Sequence, residues 1–127
     1  MKVALFGASG LLGWSIYKEL NRRGFNSFQY CQQPFGDGLT YSFRCLDLLN
    51  EVKLTRELLD EWPDAIINCA AVSSPDLVNQ NPECAAELNV NVARRLAEIS
   101  SHLGARFIHI SSDMVFEGRE EPYRSTD

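Results

Sequence analysis

Three glycines, Gly7, Gly10 and Gly13, each three residues from the next, follow directly on the apolar run Val3-Ala4-Leu5-Phe6. That spacing suits phosphate chemistry. Gly7 permits a tight turn, Gly10 removes a side chain where backbone must approach an anion, and Gly13 lets a following helix pack closely. The amide groups that open such a helix have no intrahelical partner and point at the bound anion. Ser9 can add a hydroxyl contact. The stretch Gly7-Ala8-Ser9-Gly10-Leu11-Leu12-Gly13 therefore reads as the cradle of a dinucleotide pyrophosphate, because it follows a strand and opens an amphipathic helix. A merely structural glycine turn is the alternative.

The elements that must hold this cradle alternate along the chain. Val3 to Phe6 suits a strand buried on both faces. Leu11, Leu12, Ile16 and Leu20 recur at helical spacing, with Gly24 as the stop. Phe25 to Cys31 reads as a second strand. Residues 32–40, with Pro34, Gly36 and Gly38, read as a loop, and Tyr41 to Cys45 as a third strand. Asn50 to Trp62 fits a helix ended by Pro63. Ala65-Ile66-Ile67 is another buried strand with Asn68 at its end, where the side chain can serve the backbone of the crevice. Ser73 to Asn79 is polar, contains Pro75 and reads as a loop. Asn81-Pro82 opens a helix running to His102 and closed by Gly104. Phe107 to Ile110 is a strand that delivers Ser111-Ser112-Asp113 to its carboxyl end. The pattern predicts an α/β domain, a Rossmann-type doubly wound parallel sheet with helices on both faces.

Composition narrows the function. The 127 residues suit one domain, and 45% are hydrophobic. A net charge of -5, with no run of Lys or Arg beyond two, argues against a nucleic-acid or anionic-membrane partner. The cysteines Cys31, Cys45, Cys69 and Cys84 form no CxxC pair, so no zinc or redox motif is read. Cys45 and Cys69 lie in or beside apolar strands and are expected to be free, buried thiols, as in a reducing cytosol. His102 reads as a helix-terminal cation and His109 as a strand residue; neither suggests a metal site. The N-terminal apolar run breaks at Gly7, too early for a signal peptide, and no stretch nears the ~18 apolar residues of a membrane span. A soluble, cytoplasmic protein is expected.

The Gly-x-x-Gly-x-x-Gly spacing resembles the extended short-chain dehydrogenases/reductases, and further segments are similar in order. Asp47-Leu48 resembles the family's aspartate-hydrophobe pair that meets adenine. Asn68-Cys69-Ala70-Ala71 is similar to the small-residue stretch beside the cofactor, and Asn89 to the family's helix asparagine. Ser111-Ser112-Asp113-Met114-Val115-Phe116-Glu117-Gly118 resembles Ser-Thr-Asp-Tyr-Val-Phe-Asp-Gly of the dTDP-4-dehydrorhamnose reductases, and Glu121-Pro122-Tyr123 with Asp127 continues it.

The resemblance implies NAD(P) contacts at Gly7, Ser9, Gly10, Leu11, Leu12, Gly13, Asp47, Leu48, Cys69, Ala70, Ala71, Asn89 and Ser111. It implies that Ser112 holds the substrate carbonyl while hydride arrives, with Asp113 nearby; a hydroxyl there stabilises charge developing on oxygen. A serine capping the strand end is the other reading of Ser112. Met114 replaces the family's Tyr, which puts the dTDP-rhamnose substrate in doubt. The family's Tyr-x-x-x-Lys acid pair is expected beyond Asp127, followed by a C-terminal substrate domain, so residues 1–127 are expected to be an incomplete domain, inactive alone.

The second strand ends in Tyr30, Cys31, Gln32 and Gln33, none acidic, and Asp37 lies further on. An acidic residue there commonly binds the NAD ribose, so NADP is expected over NAD. No Arg stands there for a 2′-phosphate, and NAD stays open. The expected activity is hydride transfer to the 4-keto group of a nucleotide sugar, in a homodimer of the full-length protein. The alternatives are a non-catalytic NAD(P)-binding regulatory subunit or sensor, as some relatives are, and an NAD-dependent sugar epimerase or dehydratase.

Overall fold

The computed structural model describes residues 1–32, 43–116, 118, 123 and 124. Strand β1 (Lys2–Phe6) is buried at every residue from Val3 onward. So apolar a run can be sealed only by neighbours on both edges and helices on both faces. Strand β1 pairs with β2 (Asn26–Cys31) on one side and with β4 (Ala65–Asn68) on the other. Strands β3 (Arg44–Cys45) and β5 (Arg106–His109) extend the sheet outward, giving the all-parallel order β3-β2-β1-β4-β5. The predicted fold class is thus the observed one.

Side-chain alternation along β1 divides the core in two. Val3 and Leu5 face helix α1 (Leu11–Arg22) and pack with Leu20, Cys31 and Phe43. Ala4 and Phe6 face helices α2 (Glu51–Glu61) and α5 (Ala93–Leu103), where Leu54, Leu58 and Leu96 are fully buried. Each such leucine contributes about 2 kcal/mol. At the start of α2 the Asn50 carboxamide accepts the Lys53 N–H at 3.0 Å, a cap that contributes about 1 kcal/mol. The helix stops at Trp62, left-handed at φ 46°, just before Pro63.

Several boundaries differ from expectation. The polar stretch 73–79 is not simply a loop: helix α3 (Pro75–Gln80) occupies most of it. Pro75 sits in the first turn, where its missing amide is no loss, and Asp76 favours the same end. The helix buries no residue, so it left no periodic signal. The predicted helix from Asn81 to His102 is a continuous path of helix α4 (Pro82–Ala86), a π-helical stretch Glu87–Val92, and α5. Asn81 caps it through Cys84 N–H, and Gly104 ends it at φ 68°. Of the third strand, only Arg44–Cys45 pairs; Tyr41 and Ser42, like residues 33–40, lie outside the described residues. Of the apolar positions read on α1, only Leu20 is buried, whereas Leu11 is 92% and Leu12 47% exposed. All four cysteines are free, but Cys45 is exposed rather than buried, because it ends an edge strand; Cys31 is the buried one. No described helix is long and apolar enough to cross a membrane.

Candidate functional site

The sheet order puts β2 and β4 on opposite sides of β1, so connections leave its carboxyl end in opposite directions. A crevice opens at such a switch point. Here it is a cleft of about 300 Å³, walled by the glycine turn, the end of β2, residues 46–49, residues 69–72, and Cys84 and Leu88.

The glycine turn is built by backbone contact. Gly7 has φ +73°, and a Cβ on it would lie 2.7 Å from Ala70 N. The turn after β1 and the turn after β4 therefore touch main chain to main chain. Gly13 is tighter still: its Cβ would stand 2.1 Å from Gly7 O. Gly13 thus serves the packing of α1 against the turn itself. Gly10 differs, since it is exposed and a Cβ there would meet only Gly7 O, at 3.4 Å. Gly10 also lines the cleft. No side chain caps α1, its first turn holds no acidic residue, and the Trp14 N–H is bonded to Gly10 O at 2.8 Å. The amides of Leu11, Leu12 and Gly13 precede that bond and have no carbonyl within the helix to take them. An oriented set of amides beside a small-residue wall fits a dinucleotide pyrophosphate. The Ala8 N–H to Tyr30 O bond, at 3.2 Å, ties the turn to β2.

The opposite wall depends on two asparagines. Asn68 is fully buried; its Oδ1 accepts the Ala70 N–H at 3.0 Å, and its Nδ2 lies 3.2 Å from His109 Nδ1. It serves the backbone of the crevice, as its sequence position suggests. Asn89, in the π-helical stretch, accepts the Val72 N–H at 2.8 Å and donates to Val72 O at 3.1 Å. Its amide clamps one peptide of the wall. On the third side, Asp47 Oδ1 accepts the Leu49 N–H at 3.0 Å, which shapes the turn that leads into α2.

Of the predicted contact residues, Gly7, Ser9, Gly10, Asp47, Leu48, Cys69, Ala70 and Ala71 line the cleft. Leu11, Leu12 and Gly13 stand beside it at the start of α1, and Asn89 stands behind its wall. Ser111 and Ser112 are exposed at the end of β5, on the same edge of the sheet but outside the cleft. The Ser112 hydroxyl accepts the Met114 N–H at 3.0 Å at the start of the 3-10 turn Asp113–Val115. Of Asp113 only the backbone is described; Glu117, Glu121, Pro122 and Asp127 lie outside the described residues. Sequence reasoning missed Leu46, Leu49, Val72, Cys84 and Leu88. The i, i+4 spacing of Cys84 and Leu88 was the available signal for one shared helical face.

Burial pushes the Cys31 thiol up to about 11, with the neighbouring Cys45 adding to the rise. Burial also raises Cys69. Burial, and then the Glu57 carboxylate that accepts its hydroxyl, raise Tyr30. The wall is thus neutral near pH 7 at these groups, and among the described residues Asp47 is its one carboxylate. Among the described residues, no three His, Cys, Asp or Glu side chains gather as a metal site.

Comparison with known proteins gives a match to the RmlD substrate binding domain over residues 1–127. Methionine adenosyltransferase 2 subunit beta of Xenopus laevis is 38% identical over 97% of the chain and 36% of its own length. The chain therefore spans about a third of such curated relatives. A hypothetical dTDP-4-dehydrorhamnose reductase from Sulfolobus tokodaii superposes with a TM-score of 0.85 at 27% identity, over all of this chain and 45% of that one. The dTDP-4-dehydrorhamnose reductase of Bacillus anthracis, solved with NADP, gives a TM-score of 0.74 at 30% identity, over 94% of this chain and 39% of that one.

Proposed function

The chain belongs to the RmlD substrate binding domain family, and on that premise we propose that its cleft holds a nicotinamide dinucleotide. The pyrophosphate sits on the amides that open α1, and the adenosine end lies against Asp47 and Leu48. The open side of Gly10, facing a wall of small residues, carries the reading. NADP is preferred over NAD, because Tyr30, Cys31 and Gln32 place no carboxylate at the end of β2 to receive a ribose 2′-hydroxyl or repel a 2′-phosphate. Titration with NADPH and NADH, followed by calorimetry, tests both points. Saturable binding, tighter for NADPH, is expected. Tighter NADH overturns the preference, and no binding of either removes the reading.

For the whole protein, the 38% identity to the amphibian subunit favours a dinucleotide-binding, non-catalytic subunit of a methionine adenosyltransferase. Co-expression of the full-length protein with a methionine adenosyltransferase catalytic chain is expected to yield a co-purifying complex; separate elution rejects the role. A nucleotide-sugar reductase is the second reading, favoured by the likeness to the two reductases and by Ser112 on the same edge of the sheet. A nicotinamide cofactor would supply hydride, and the Ser112 hydroxyl would hold the substrate carbonyl. NADPH consumption with a dTDP-4-keto sugar separates this reading from the first. Cytoplasmic residence and a homodimer of the full-length protein belong to the same proposal, and cell fractionation and light scattering check them.

A further inference from the structure

We propose that Cys31 and Cys45 form a reversible dithiol that closes to a disulfide and latches the edge strand β3 to β2. The two residues are register partners at the carboxyl ends of these parallel strands. Neighbouring parallel strands lie about 4.8 Å apart, within the Cα separation that a disulfide spans. Register partners project to the same face of a sheet, so the two thiols meet side by side; Cys45 is near enough to act on the ionisation of Cys31. Their environments are unequal. Cys31 is buried and lines the cleft, whereas Cys45 is exposed. That asymmetry sets the order of events with a small soluble disulfide such as glutathione disulfide. The Cys45 thiolate attacks one sulfur of the reagent and expels one glutathione thiolate. The Cys31 thiol then loses its proton and attacks the Cys45 sulfur, expelling the second. Two cysteine thiols are oxidised and one glutathione disulfide is reduced to two glutathiones. Cys69 and Cys84, which also line the cleft, are free thiols outside this strand pair and take no part.

The inference does not depend on which cofactor the cleft takes. Reduced protein is incubated with glutathione disulfide, free thiols are alkylated, and the peptides are mapped by mass spectrometry without reduction. The expected product is a cross-linked Cys31–Cys45 peptide pair that dithiothreitol releases, with Cys69 and Cys84 alkylated. Cys45→Ser is expected to abolish the cross-link and leave Cys31 alkylated after unfolding; Cys84→Ser is expected to leave the cross-link intact. Alkylation of all four cysteines, or a lasting glutathione adduct on Cys45 beside a free Cys31, overturns the proposal.

Discussion

At the residue scale, the three glycines do different work, and single methyl groups separate their roles. A Cβ at Gly13 would stand 2.1 Å from Gly7 O, so Gly13→Ala forces α1 off the turn. It is expected to destabilise the fold by about 1–3 kcal/mol, read by urea denaturation. A Cβ at Gly10 meets nothing nearer than 3.4 Å, so Gly10→Ala is expected to change stability by only about 1 kcal/mol or less. The same methyl group would occupy the cradle, and NADPH affinity should fall about tenfold or more. Wild-type affinity in a folded Gly10→Ala variant would place the phosphate elsewhere. Titration gives a second prediction. Folding holds Cys31, Cys69 and Tyr30 neutral by raising their pKa. Their contribution is complete below the unfolded values, 9.0 for a thiol and 10.0 for the phenol, and is lost as pH rises through the folded ones. The urea midpoint should therefore drop as pH rises from about 9 through about 11, and Cys31→Ala should lessen the drop. A midpoint that stays flat across that window contradicts the neutral wall.

At the element scale, the irregular stretch of helix between α4 and α5 matters most. A π-helical turn adds a residue to the helical repeat and rotates the side chains that follow. Here it presents Asn89 to the loop after β4, where its carboxamide satisfies both the N–H and the C=O of Val72. Asn89→Ala strips both partners from a half-buried peptide. The expected loss is about 1–3 kcal/mol, with weaker dinucleotide binding because Val72 lines the cleft. Asn89→Asp keeps an acceptor for the Val72 N–H but places a second acceptor against Val72 O, so it should rescue little. Full rescue by Asp would show that only one of the two bonds matters.

At the scale of the molecule, one sheet order gathers the site. Gly10, Asp47, and the pair Ala70 and Cys84 come from three separate crossovers, yet all line the crevice because β2 and β4 flank β1. A ligand that bridges these connections stabilises the folded state by mass action. At about 100 times its Kd, NADPH should contribute about 2.7 kcal/mol, a Tm rise of about 10 °C for a domain of this size. NADH at equal concentration should raise Tm less. An unchanged Tm with either nucleotide would mean that the crevice is not the binding site.

The sequence by itself determined the parallel α/β fold, because buried strands read as continuous apolar runs and Gly7, Gly24 and Gly104 stand where the backbone must turn left-handed. It also marked the glycine turn after β1, of which Gly7 and Gly10 line the cleft. It did not show α3, which buries nothing, or the π-helical stretch, whose Asn89 bonds Val72 seventeen residues away along the chain. Cys45 misled for a related reason: an apolar neighbourhood in sequence does not say whether a strand lies at the centre or the edge of a sheet. The division of labour between Gly10 and Gly13 was legible in their spacing; only the tertiary structure decided that Gly13 packs on the backbone of Gly7 itself, and that Ser112 lies outside the cleft its motif suggested. Those distinctions depend on distances between segments far apart in the chain, and spacing along one segment carries no record of them.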